Sequence, residues 1–231
     1  TAIKAQGFIQ NQINTSHWDV NYGVQVSYEQ FSRFGHMRNG RAPENSKGRS
    51  QIQRFDDAAI KAGATYKING RNYFTLRAQY GTEAPLIKDV YISPRISDEV
   101  VEGTKSSRTF AADFAYHWNY RRFRGSIGVF YVNTTGAMER RGFYDEELRS
   151  FVNYAVTGVH RQNKGVELGK AYKILPSLTA TFAGTYARYQ YKNNPMGTRM
   201  SENSLFDPIQ TTVYLKDHIS VSTPQAAFNI G

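Results

Sequence analysis

Cysteine is absent from the 231 residues, which removes disulfide staples, thiolate metal sites and cysteine nucleophiles together. No stretch approaches the ~18 uninterrupted apolar residues of a membrane-crossing helix, so a helical membrane protein is excluded. That test is silent about strands, which cross a bilayer with ~9 to 11 residues of alternating character. Also missing are a nucleophile elbow, a phosphate-binding loop and a zinc-binding helix. The adjacent acids Asp56-Asp57 and Glu146-Glu147 fall in polar stretches, so no enzyme is expected and no cofactor. The opening "TAIKAQGFIQNQ" lacks a basic-then-apolar leader and reads as a strand, as a mature or excised chain would start.

Aromatic residues are plentiful, at 14% with 16 Tyr and 14 Phe, a composition that suits strands and membrane-interface girdles. They recur with period two. From Trp18 the even positions run Trp18, Val20, Tyr22, Val24, Val26, Tyr28, against His17, Asp19, Asn21, Gln25 and Glu29 on the odd ones. The same division appears over 58–68, 72–80 and 110–118, and less cleanly over 123–133, 165–174 and 178–186. With a strand near the start and "QAAFNIG" at the end, about nine strands are predicted, and no amphipathic helix.

The connections alternate in length. Short turns are predicted at 12–16, 69–71, 119–122 and 175–177, and long polar stretches at 32–57, 81–107, 134–163 and 187–224. Compact domains seldom hold so many loops beyond ~12 to 15 residues. Short turns on one side and long loops on the other is the layout of an antiparallel up-and-down meander in a transmembrane β-barrel, and all-β is the fold class expected. Apolar parity would then face lipid and polar parity the lumen, the reverse of a soluble sandwich. The lumen-facing candidates are Lys61, Lys67, Arg77, Gln79, Asp113, His117 and Glu167. Lys170 breaks the parity and is expected to snorkel near a strand end.

Asn69-Gly70 reads as a hairpin turn, because both residues tolerate positive φ. The first long loop carries His36, Arg38, Arg41, Lys47 and Arg49; its basic residues are either a simply solvated cluster, the reading favoured, or candidates for contact with lipopolysaccharide phosphates or an anionic ligand, and Arg121, Arg122 and Arg124 at a short turn are assigned to periplasmic headgroups. The five histidines lie too far apart for a helical metal site. The formal charge of +10 is dispersed, and the aromatics take the parity opposite to the charges, so nucleic acid is not an expected partner.

The segments "QFSRFGHMRNGRAPENSKGRS" and "KAGATYKINGRNYFTLRAQYGTEAPLIKDVYISPR", with "FVNYAVTGVHRQNKGVELG" and "YQYKNNP", resemble the TonB-dependent outer-membrane receptors of the Bacteroidetes type over most of 25–196. The resemblance implies a 22-stranded barrel in the bacterial outer membrane, a plug domain within it, and energised uptake of a scarce nutrient such as a siderophore, metal complex, glycan or peptide. Its partners would be outer-membrane lipid and lipopolysaccharide, the plug, the TonB complex and a surface lipoprotein. No plug or TonB-contacting segment is identifiable, so residues 1–231 are expected to be a middle portion of the barrel. A soluble lectin-like β module and an outer-membrane barrel enzyme are the alternatives.

Overall fold

The computed structural model describes residues 2–40, 42–146, 149–201 and 208–231. Its long strands are β1 (Ala2–Asn14), β2 (Trp18–Phe31), β5 (Gln53–Asn69), β6 (Asn72–Glu83), β7 (Ser107–Asn119), β8 (Phe123–Asp145), β9 (Ser150–Leu175) and β10 (Leu178–Tyr191). Shorter pieces are β3 (Phe34–Gly35), β4 (Gly48–Arg49), α1 (Ile87–Val90), β11 (Met196–Ser201), β12 (Ile209–Thr212) and β13 (Ala226–Ile230). The main sheet runs β1-β2-β5-β6-β7-β8-β9-β10-β13, every pair antiparallel. These nine strands form the expected meander. β1 and β13 are its edges and do not pair with each other, so the described sheet is open.

Alternation along each strand becomes rows across the sheet, because register partners point to the same face. Val20, Ala64, Leu76, Phe114, Val129, Val166 and Tyr186 make one row, all apolar. On the same face toward the short turns, Trp18 packs against Tyr66 at 4.7 Å and Phe74 against Tyr116 at 5.0 Å, both tilted, and Trp118 stacks on Phe123 at 5.6 Å. Together they form an aromatic belt. The apolar face is not covered by other described residues: Leu76 is 52% exposed and Val129 50%.

The apolar band crosses the ladder obliquely. The last apolar residue before the polar ends is Tyr28 on β2, Ala58 on β5, Tyr80 on β6, Phe110 on β7, Tyr131 on β8, Val166 on β9 and Tyr186 on β10. Tyr186 lies in the row of Val20, so the boundary descends from position 28 to position 20 over six strand steps. Eight residues at ~3.3 Å and six spacings at ~4.8 Å give a slope of ~40°.

Buried apolar side chains gather at the long-loop ends. Phe31, Phe55, Val90 and Tyr91 form one cluster; Ile92, Val101, Ala155 and Met200 a second; Ala137, Val156, Val159 and Tyr191 a third. The expected loops 134–163 and 187–224 are therefore partly strand. β8 and β9 continue as a ladder to Asp145 and Ser150, β11 pairs with Val152–Thr157, and β12 pairs with β11. Alternation fails to announce this extension because its sides are buried by pieces distant in sequence. Gly136 and Gly158, with φ of 71° and 72°, sit where the hairpin leaves the main sheet and the register shifts.

The Asn69-Gly70 turn forms, although neither residue takes a positive φ. Asn69 Oδ1 instead accepts from the backbone N–H groups of Arg71 and Asn72 at 2.8 and 2.9 Å, and the strand register shifts between Lys67 and Asn69. The side chain closes the turn, and the irregularity absorbs the twist that a primed turn would have matched.

Candidate functional site

Register places Lys61, Lys67, Arg77, Gln79, Asp113, His117 and Glu167 on the face opposite the apolar band. They form rows rather than one cluster. Lys61 is the register partner of Gln79; Arg77 is that of Asp113; Lys67 shares a row with Tyr73 and His117. Glu167 stands apart on β9, opposite Gly128.

Charge on this face is largely compensated across strands. Lys67 Nζ lies 2.6 Å from Asp19 Oδ1, Arg77 Nη2 3.0 Å from Asp113 Oδ2, and Lys4 Nζ 3.0 Å from Glu29 Oε2. Asp19 completes a pair that the lumen-facing candidate Lys67 leaves half-written, Glu29 pairs with Lys4 outside the candidate set, and the odd parity of β2 already carried both acids. His117 stacks on Tyr73 with centroids 4.6 Å apart, and its Nε2 lies 3.1 Å from Thr75 Oγ1.

Glycines let the long cations lie flat. A Cβ on Gly23 would stand 3.2 Å from Lys61 Cε, and one on Gly63 would stand 3.3 Å from Arg77 Cγ. Near Lys61 the face hollows into a concavity of about 740 Å³ whose polar lining includes Lys4, Gln6, Gln25 and Gln79. Amides and paired charges there can hold a polar solute by hydrogen bonds. Among the described residues no group of three His, Asp or Glu side chains could hold a metal ion.

His36, Arg38, Lys47 and Arg49 are all exposed in the first long loop, and Arg41 lies outside the described residues. β3 and β4 pair there, His36 packs edge-on to Phe34 at 5.2 Å, and Arg49 Nε donates to Ser32 Oγ at 3.1 Å. None of the four lines the hollows of the polar face.

Arg33, absent from the sequence candidates, is the residue that organises this region. Its Nε donates to Pro94 O at 2.7 Å and its Nη1 to Ser46 O at 3.0 Å, while its backbone N–H reaches Ser50 Oγ and Tyr91 Oη. It ties the loop after β2 to the one after β6. No local pattern distinguishes it from its arginine neighbours, since its partners lie up to 61 residues away.

In the second loop, burial lifts the Asp89 carboxyl above its ordinary range, against the opposing pull of Lys88 and Arg140. At the end of β10, Tyr191 Oη donates to Glu139, which also lies 3.4 Å from Arg161. Burial foremost, then the Glu139 charge and hydrogen bond, raise the Tyr191 phenol.

The comparison with protein families matches residues 1–230 to the family described as TonB dependent receptor-like, beta-barrel. Neither the curated proteins nor the solved structures give a match. The meander, its two-faced strands and the extent of the match agree: the chain belongs to the TonB-dependent receptor β-barrel family, a family of outer-membrane transporters.

Proposed function

We propose that the apolar face of this sheet meets lipid and that the polar face lines the lumen of a barrel importing a scarce nutrient. The oblique boundary supports this most directly. Strands in outer-membrane barrels tilt by ~35 to 45° from the membrane normal, and a level slab imposed on tilted strands draws an apolar band sloping by that angle across the ladder. The observed slope is ~40° on standard strand spacings. A soluble sandwich core carries no such requirement.

On this reading Lys61, Lys67, Arg77, Gln79, Asp113, His117 and Glu167 face the solute path and a plug domain. The loops carrying His36, Arg38, Arg41, Lys47 and Arg49 face outward, toward lipopolysaccharide, a surface lipoprotein and incoming solute. The solute classes compatible with such a surface are siderophores, metal complexes, glycans and peptides; the TonB complex would supply the energy.

These 231 residues contain no cysteine, so a single cysteine introduced among them has no neighbour of its kind within the segment. Along one row, Tyr22→Cys, Ala62→Cys and Ala112→Cys should resist a membrane-impermeant maleimide in intact outer membranes, whereas Lys164→Cys and Arg188→Cys should react. Uniform labelling along the row would refute the lipid assignment. So would a monodisperse fold in plain buffer without detergent.

A further inference from the structure

At the short-turn end of the polar face, two contiguous hollows of about 470 Å³ each share Asn119, Arg124 and Ala171. Arg121, Arg122, Arg124 and Lys173 line the first, and no carboxylate does. None of these four cations forms an ion pair with a described carboxylate. That sets them apart from Lys67, Arg77 and Lys4 on the same face, each of which has an acid. Register puts Arg124 beside Asn119 and Ala171, and Lys173 beside Thr179, on the face away from the apolar band. Arg124 therefore does not point at headgroups along the lipid side, as its place in the sequence suggested.

The second hollow has an open floor. A Cβ on Gly169 would meet only Ser126 Oγ, at 4.0 Å, and the stacked Tyr73–His117 pair stands at its side. Three guanidinium forks and one ammonium around the first hollow, with Arg124 shared by the second, match the chemistry of a phosphate group, which guanidinium binds through paired, charge-assisted hydrogen bonds. We infer that this mouth of the polar face is a binding site for a phosphate-bearing ligand, held by Arg122, Arg124 and Lys173.

The test is calorimetric titration of the full-length protein in neutral detergent with inorganic phosphate at constant ionic strength, beside nanodiscs of phosphatidylglycerol or phosphatidylcholine. Saturable phosphate binding assigns a soluble ligand, and selective retention of phosphatidylglycerol assigns a headgroup; each upholds the site. Arg122→Gln/Arg124→Gln should weaken the interaction ~10-fold or more. Lys164→Gln/Arg188→Gln removes equal charge from the opposite face and should leave binding within about twofold. Absence of saturable binding to either probe overturns the site, as does an equal loss in Lys164→Gln/Arg188→Gln, which would reveal only a diffuse field. The detergent titration is independent of the lipid assignment, so failure of the cysteine scan and failure of this site are separable.

Discussion

Arg77 and Asp113, 36 residues apart in sequence, meet across β6 and β7 with both Nε and Nη2 3.0 Å from one carboxylate oxygen. Their side chains are 69% and 36% exposed, so solvent screens the pair despite its good geometry. Arg77→Ala and Asp113→Ala should each cost under about 1 kcal/mol, with a coupling energy of ~0.2 to 1 kcal/mol in a double-mutant cycle. Denaturant unfolding in detergent measures it. A coupling of several kcal/mol would show that the pair is far drier in the assembled protein than in the isolated sheet.

Leu76 and Thr75 are neighbours on opposite faces. Leu76→Asp and Phe114→Asp should block membrane assembly, while Thr75→Asp is tolerated, as read by heat-modifiable gel migration of outer-membrane fractions. Equal outcomes for the two classes would invert or erase the face assignment.

Gly136 and Gly158 both hold left-handed backbone at the base of the β8–β9 extension. A Cβ at Gly158 would touch nothing within 4 Å, so its substitution isolates the conformational cost. Gly158→Ala should lose about 1 to 2 kcal/mol locally, seen as faster amide exchange in the extension. Gly7→Ala, also free of contacts and with ordinary φ, is the control and should be neutral or slightly stabilising.

Tyr191 is held neutral more firmly in the fold than in the unfolded chain. Because its folded value is raised, its stabilising contribution is complete below the ordinary phenol value of ~10 and is lost as pH rises through the folded value. Tyrosinate absorbance should contain a late-titrating component that Tyr191→Phe removes. Its persistence in that variant would assign the component elsewhere.

Arg33→Ala should release the second long loop from the first. Two side-chain hydrogen bonds from a charged donor disappear, for a local cost of about 2 to 3 kcal/mol. Limited proteolysis within 84–106 should accelerate while cleavage near the short turns stays unchanged.

Much of the main sheet was legible in the chain, because period two is a property of strands themselves. Val20, Leu76 and Phe114 could be sorted from Asp19, Arg77 and Asp113 without knowing which strand pairs with which. The short turns were equally local. The Asn69-Gly70 turn was correctly located yet wrongly explained, since side-chain capping by Asn69 and a register shift replace the positive φ that composition suggests.

Beyond the band the sequence was less informative. The extension of β8 and β9 reads as polar loop, because Ala155 is buried with Met200 and Ile92, and Val156 with Val213, rather than by a uniform solvent that would demand strict alternation. Arg33 became conspicuous only when Ser46 and Pro94 came within reach. The slope of the apolar boundary is likewise invisible in any one strand.

Taken strand by strand, the sequence by itself determined which side chains share a face and where the short turns fall, since both follow from local geometry and solvent preference. Tertiary structure alone decided the register. That register aligned the strands into a sloping band, joined Lys67 to Asp19 and Arg77 to Asp113, and left Arg124 and Lys173 together without an acid, because each of these depends on partners that only the folded ladder brings within a few ångströms.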